Sequence, residues 1–262
     1  RFSSKVPEEF CALGYVPTDV QTDGLYTVKE SEYNAYYMNG DTVAYGNLKD
    51  LLDDDATNGK TIMLLKETVE VADKYFIVDS NKTIDLNGKT LDIKGKLLGF
   101  GKIIDSADGT GLLKVGDMAS SQLPAENGYL AIKDGEGYRL YKYAFAAYGT
   151  KVSNDKNSVM FAVQLEFTNL EAWDKIKADK NSVQLTYLAE WNGNKSIFSF
   201  KHSTLAGIAG KATAEKPIAY FTMTISGFNS LNLDGVEFKM TPQLECAFFT
   251  HSVDAQTYTI GG

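Results

Sequence analysis

Arginine is nearly missing from this 262-residue chain: of 26 basic residues, only Arg1 and Arg139 are not lysine. The net charge is −8 and the isoelectric point is near 4.9. A nucleic-acid binder needs a basic face and bidentate arginine contacts, so that class is disfavoured. Cysteine is scarce as well, with only Cys11 and Cys246. Two thiols suit any redox compartment, and a disulfide between them is one candidate feature. No stretch approaches the roughly 20 consecutive apolar residues that cross a bilayer as a helix. No signal peptide is visible, and the start at Arg1 without an initiator Met leads us to expect a mature or excised fragment.

What the chain does contain is aromatic and β-forming. Fifteen Tyr and fourteen Phe beside only five Pro suit an all-β fold. The stretch 61–93 carries three short apolar runs, Ile62–Leu65, Phe76–Val78 and Ile84–Leu91, each broken by a polar corner. The third run holds Asn87-Gly88. The spacing leaves no room for helices between parallel strands, which predicts a solenoid whose coils bury their apolar faces on one another. Just before it, Leu48, Leu51 and Leu52 recur at helical spacing after Asn47, a suitable N-cap. That predicts a short helix capping the solenoid against edge pairing. Further runs follow at Lys102–Ile104 and Leu112–Val115, with Gly99, Gly101, Gly109 and Gly111 at the corners.

The pattern changes across 118–137, where polar residues and glycines cluster. From Tyr138 onward apolar residues alternate with period two, as in Val159, Phe161, Val163, Leu165 and Phe167 and in Val183, Leu185, Tyr187, Ala189 and Trp191. Asn192-Gly193 then predicts a tight hairpin. Only Leu170–Ala178 has a helical period. One-sided burial across six or seven strands predicts an antiparallel, immunoglobulin-like β-sandwich. The expected organisation is thus a junction segment over 1–30, a short right-handed β-helix over 31–137 and a β-sandwich over 138–262.

The segments NLKDLLDDDATNGKTIMLLKETVEV, NKTIDLNGKTLDIKG and GKIIDSADGTG carry a family resemblance. They resemble the right-handed β-helix modules of large repetitive surface proteins of gut Firmicutes. In those modules a short cap helix leads to a TI-x-LL strand and a TIDLNGK-TL coil. The opening RFSSKVPEEFCALGYVPTDVQTDGLYTV looks like the tail of such a module, and the final TIGG supplies the glycine pair that this tail should follow. The resemblance spans about residues 1–30 and 41–117. It implies an extracellular, adhesive or structural protein, and it transfers no catalytic residues and no cofactor. Joining the end to the start gives a strand, a glycine corner and a second strand. We therefore expect a head-to-tail array in which Arg1, Phe2, Ser3 and Ser4 meet Tyr258, Thr259, Ile260, Gly261 and Gly262 of a neighbouring unit. The partners would be further copies or adjacent modules, with host or bacterial glycans as a second class.

Other candidate sites are weaker. His202-Ser203 and His251-Ser252-Val253-Asp254 hold the letters of a hydrolase triad, yet neighbours on a strand point to opposite faces. Cys246 and His251 lack the further ligands that structural zinc needs. Asp53-Asp54-Asp55 offers oxygen ligands for Ca²⁺, but reads more simply as a solvated helix end. Gly99-Phe100-Gly101 is a coil corner, not a dinucleotide fingerprint. Tyr36, Tyr37, Tyr129, Tyr138, Tyr141, Tyr143, Trp173 and Trp191 include candidate sugar-stacking rings, chiefly Trp191 and Tyr138. The expectation is a non-enzymatic chain with no metal or cofactor. A carbohydrate-binding module is the first alternative. A β-helix polysaccharide lyase or hydrolase using Asp85 or Asp92 is the second.

Overall fold

The computed structural model describes residues 1–7, 10–117, 121, 128–152, 158–179, 181–199, 213, 218–226, 235–248 and 250–259. Strands dominate, so the all-β class holds. No helix among the described residues is long and apolar enough to cross a membrane.

Near the N-terminus β1 (Tyr15–Pro17) and β2 (Val28–Glu30) form a small antiparallel pair. The hairpin of β3 (Ala35–Asn39) and β4 (Thr42–Gly46) follows, then α1 (Leu48–Asp53). As expected, α1 buries Leu48, Leu51 and Leu52. Its N-terminus is capped differently from expectation. Asn47 makes no side-chain cap bond, and Asn34 Oδ1 accepts the Leu48 N–H at 2.7 Å instead.

The other end of α1 is held by Lys82, which is 3% exposed. Its ammonium donates to the backbone oxygens of Leu51 (3.5 Å) and Asp54 (2.5 Å) and to Thr57 Oγ1 (2.7 Å). A cation here complements the negative end of the helix and adds a charged donor to carbonyls that the Thr57 hydroxyl also reaches, at 2.6 Å and 2.8 Å. Lys82→Met should lower the unfolding free energy by about 1–3 kcal/mol, because Thr57 Oγ1 and two carbonyls lose a charged donor, and two of these three bonds are buried. Denaturant melts of the two proteins would measure it.

Next come β5 (Thr61–Leu64), β6 (Thr68–Val78), β7 (Thr83–Asp85), β8 (Thr90–Gly99), β9 (Lys102–Ile104) and β10 (Leu112–Val115). They pair as two parallel ladders, β5–β7–β9 and β6–β8–β10. The chain alternates between the ladders, adding one strand to each per rung. The register aligns apolar residues: Ile62, Ile84 and Ile103 stack in one ladder, and Leu91 faces Leu113 in the other. All five are fully buried, which gives the ladders a continuous aliphatic core. One expectation needs correcting. Asn87-Gly88 lies outside any strand, as the corner between β7 and β8, with φ of 49° and 74°. Asparagine and glycine tolerate that left-handed backbone, so the pair ends the run early.

The second half holds β11 (Tyr129–Asp134), β12 (Gly137–Val152), β13 (Ser158–Phe167) and α2 (Glu171–Ala178). After them come β14 (Val183–Trp191), β15 (Asn194–Ser199), β16 (Ile218–Ser226), β17 (Glu237–Cys246), β18 (Thr250–Ser252) and β19 (Gln256–Thr259). Among the described residues all pairings in this half are antiparallel. Asn192-Gly193 forms the expected two-residue turn, with Trp191 opposite Asn194.

The expected boundary at residue 137 falls at a hairpin turn between β11 and β12. The sheet passes through it, ordered β16-β13-β12-β10-β8-β6. The buried side chains form one core, joining Leu113 to Leu165, Tyr187 and Phe238.

Candidate functional site

Two acidic residues at the turns of the parallel ladders, Asp85 and Asp105, are committed to the backbone. Asp85 Oδ1 accepts the N–H groups of Asn87 and Ser106, each at 2.8 Å. Asp105 is fully buried, and one oxygen accepts Gly88 N (2.9 Å) and Ala107 N (3.2 Å). Its other oxygen accepts Gly109 N (3.1 Å) and Gly111 N (2.7 Å). Asn87 Nδ2 reaches the Leu64 carbonyl at 3.0 Å, so these side chains tie successive rungs together at one corner. A carboxylate that accepts four amides has its lone pairs engaged. Asp92 instead faces Lys94 at 2.6 Å. Neither lyase candidate therefore stands as an uncommitted base.

The same corner joins the two halves. Asp108 accepts the backbone N–H of Lys142 (2.8 Å) and the hydroxyl of Thr168 (2.6 Å). Arg139 Nη1 donates to the carbonyls of Gly109 (2.9 Å) and Thr110 (2.7 Å). Its Nε meets Asp134 at 2.5 Å, and Lys175 of α2 meets the other Asp134 oxygen at 2.7 Å. The hydrogen bonds from Lys175 and then Arg139 hold the Asp134 carboxyl below its ordinary value of 3.8. A lowered folded value means this stabilisation is complete above the ordinary value and is lost as pH falls through the lowered one. Asp134→Asn should therefore lower stability above about pH 4 and flatten the curve below it, where the two proteins converge. Denaturant midpoints from pH 2 to 7 would test this.

The other expected sites divide. Asp53 pairs with Lys49 at 2.6 Å, Asp54 accepts Ala56 N at 2.9 Å and Asp55 accepts Asn58 Nδ2 at 3.3 Å, so all three acids in the Asp53-Asp54-Asp55 run have local partners. Among the described residues no cluster of three or more His, Cys, Asp or Glu is placed to hold a metal. His202 and Ser203 lie outside the described residues. His251 Nδ1 is hydrogen-bonded to the Tyr143 hydroxyl, and its ring packs edge-on against Tyr143 and Phe145. No disulfide joins Cys11 and Cys246 in this structure. Cys11 lies beside Pro7, and Cys246 ends β17.

At the chain ends, Arg1 pairs with Asp23 at 2.5 Å and Phe2 bridges Tyr26 through both backbone groups. Ser3 and Ser4 are exposed beside them. Tyr258 and Thr259 belong to β19, which pairs with β17 of the same chain. Ile260, Gly261 and Gly262 lie outside the described residues.

Of the aromatic candidates, Tyr36, Tyr37, Tyr129, Tyr141 and Trp173 are buried in the core. Trp191 stacks on Phe238, with centroids 5.2 Å apart and planes at 16°, so one face of its ring packs within the protein. Tyr138 is different. It packs edge-to-face on Phe248 at 5.1 Å and also lines a cleft of about 320 Å³.

Two cross-strand pairs form the walls of that cleft: Lys133 beside Tyr138 on β11–β12, and Gln184 beside Glu245 on β14–β17. The turn after α2 adds Asp179 and Asn181. This turn is locally fixed: Asp179 N donates to Lys175 O (2.9 Å), Ser182 Oγ donates to Asp179 O (2.7 Å), and Asp179 Oδ1 accepts Asn181 N (3.0 Å). Burial, and then the neighbouring Asp179 and Cys246, push the Tyr138 phenol up, so it stays a protonated donor at neutral pH. Tyr138 and Cys246 stand out in the sequence, and the other wall residues do not. Their signal is a D-x-N-S turn between a helix and a strand, which looks like any polar loop.

No family model and no curated protein matches this chain. Parts of it are similar to solved structures. A bromine derivative of BhCBM56, a carbohydrate-binding module, aligns at 9% identity over 45% of this chain and 90% of its own, with a TM-score of 0.20. The chicken interferon gamma receptor alpha chain aligns at 8% identity over 56% of this chain and 54% of its own, with a TM-score of 0.24. The structural genomics target SoR45 aligns at 12% identity over 47% of this chain and 86% of its own, with a TM-score of 0.18. Likenesses this slight carry no argument about function.

Proposed function

We propose that this chain is a non-catalytic structural or adhesive module: a short right-handed β-helix with a cap helix, followed by an immunoglobulin-like β-sandwich. The observation that carries the proposal is the commitment of Asp85 and Asp105 to backbone amides, which makes the acidic coil corner a scaffold. The two three-rung parallel ladders support the β-helix reading. The antiparallel sheets that share one core support the sandwich. The extracellular setting rests on the resemblance to bacterial surface modules.

Assembly into a head-to-tail array would join the N-terminal segment of one unit to the strand 256–259 of the next. Each already pairs on one side within its own chain, so the joint would use the other side. Sedimentation velocity from low to high micromolar concentration, with electron micrographs of the same samples, tests this. End-to-end chains that grow with concentration are expected, and a single monomeric species throughout would reject the array. A second reading, carbohydrate binding, is favoured by one observation: in the cleft beside Tyr138, the side chains of Tyr138, Lys133, Asn181 and Gln184 have no hydrogen-bond partner among the described residues.

A further inference from the structure

We infer that the cleft between Tyr138 and Gln184 is a binding subsite for a short neutral saccharide, which rests on the carbohydrate-binding reading and gives it a location. The case begins with the contrast between two polar clusters. At the coil corner every carboxylate oxygen of Asp105 is engaged. In the cleft the Tyr138 hydroxyl, the Lys133 ammonium and the carboxamides of Asn181 and Gln184 have no hydrogen-bond partner among the described residues. Glu245 receives one bond, from Thr186 at 3.0 Å, which leaves its second oxygen available.

These groups match a sugar. Each saccharide hydroxyl both donates and accepts, so vicinal diols suit planar amides, which offer a donor beside an acceptor, and carboxylates, which offer two acceptors. Gln184 and Glu245 are direct cross-strand neighbours, and so are Lys133 and Tyr138. Strand-borne groups like these hold their spacing without a ligand, which keeps the entropic cost of binding low. The volume of about 320 Å³ sits at the low end of the roughly 300–1,000 Å³ typical of small-molecule sites, enough for one or two sugar rings. Charge narrows the class further. Among the described lining residues Asp179 and Glu245 are balanced by Lys133 alone, so this lining is net negative and disfavours uronic acids.

Titration calorimetry of the full chain with maltose, cellobiose, lactose and mannobiose would test this, with digalacturonic acid as the acidic counterpart. At least one neutral disaccharide should bind, and digalacturonic acid should bind at least about tenfold more weakly. Gln184→Ala and Asn181→Ala should each weaken binding about tenfold, the loss typical of one good hydrogen bond. Tyr138→Phe keeps the ring against Phe248 and should weaken binding less. Asn181 is exposed, so its variant should fold normally, with circular dichroism as the control. Binding that both alanine variants leave unchanged would overturn the location while sparing the carbohydrate reading. No binding by any probe would overturn both.

Discussion

Asp105→Ala is expected to lower the unfolding free energy by about 4 kcal/mol, a large share of the 5–15 kcal/mol that a domain typically has. The side chain is fully buried and accepts four backbone amides from two corners, at Gly88 and at Ala107–Gly111. Alanine would leave those donors without an acceptor, and two of the four bonds, to Gly109 and Gly111, lie in buried surroundings. Orphaned buried donors lose their full desolvation cost, and a bond to a charged acceptor is worth more than a neutral one. Asp105→Asn should fare little better, because its carboxamide presents an NH₂ group to amides that need an acceptor. Urea unfolding with unchanged m-values would confirm that the loss is one of stability.

Gly109→Ala is expected to cost about 3 kcal/mol through two separate effects. The φ at Gly109 is +86°, a left-handed conformation that penalises any Cβ. That Cβ would also stand 2.0 Å from Cε1 of Tyr141, whose fully buried ring has nowhere to retreat. Gly59→Ala separates the two effects. Its φ is +74° and its added Cβ would meet nothing within 4 Å, so only the conformational penalty of about 1 kcal/mol should appear. If both variants lose the same stability, the corner is looser than its packing against Tyr141 implies.

The local pattern of this fold was legible in the sequence where period and composition agree. Leu48, Leu51 and Leu52 marked α1, and Asn192-Gly193 marked its hairpin. The aliphatic stacking of Ile62, Ile84 and Ile103 follows from the run spacing in 61–104. What stayed hidden depends on long-range contact. Asp105 and Asp108 look like ordinary turn acids, yet one binds the preceding coil and the other binds β12 and Thr168. Lys82 looks like a surface lysine in a polar corner, and only the return of α1 above it makes it a buried cap. The continuity of the sheet past residue 137 was equally unreadable, since β10 and β12 meet through Leu113 opposite Tyr138, across a polar stretch. The cleft shows the same limit, because its walls come from segments about 40 residues apart or more: β11–β12, the turn after α2, and the end of β17.

Native-state hydrogen exchange at the amides of Gly88, Ala107, Gly109 and Gly111 tests most directly that this acidic corner is a structural joint. If Asp105 holds them as described, these four should exchange only through global unfolding, with protection equal to that of the buried strand amides of Ile84 and Leu91. Exchange at the rate of an open surface loop would contradict the account, and would return the corner's carboxylates to the list of groups available for chemistry.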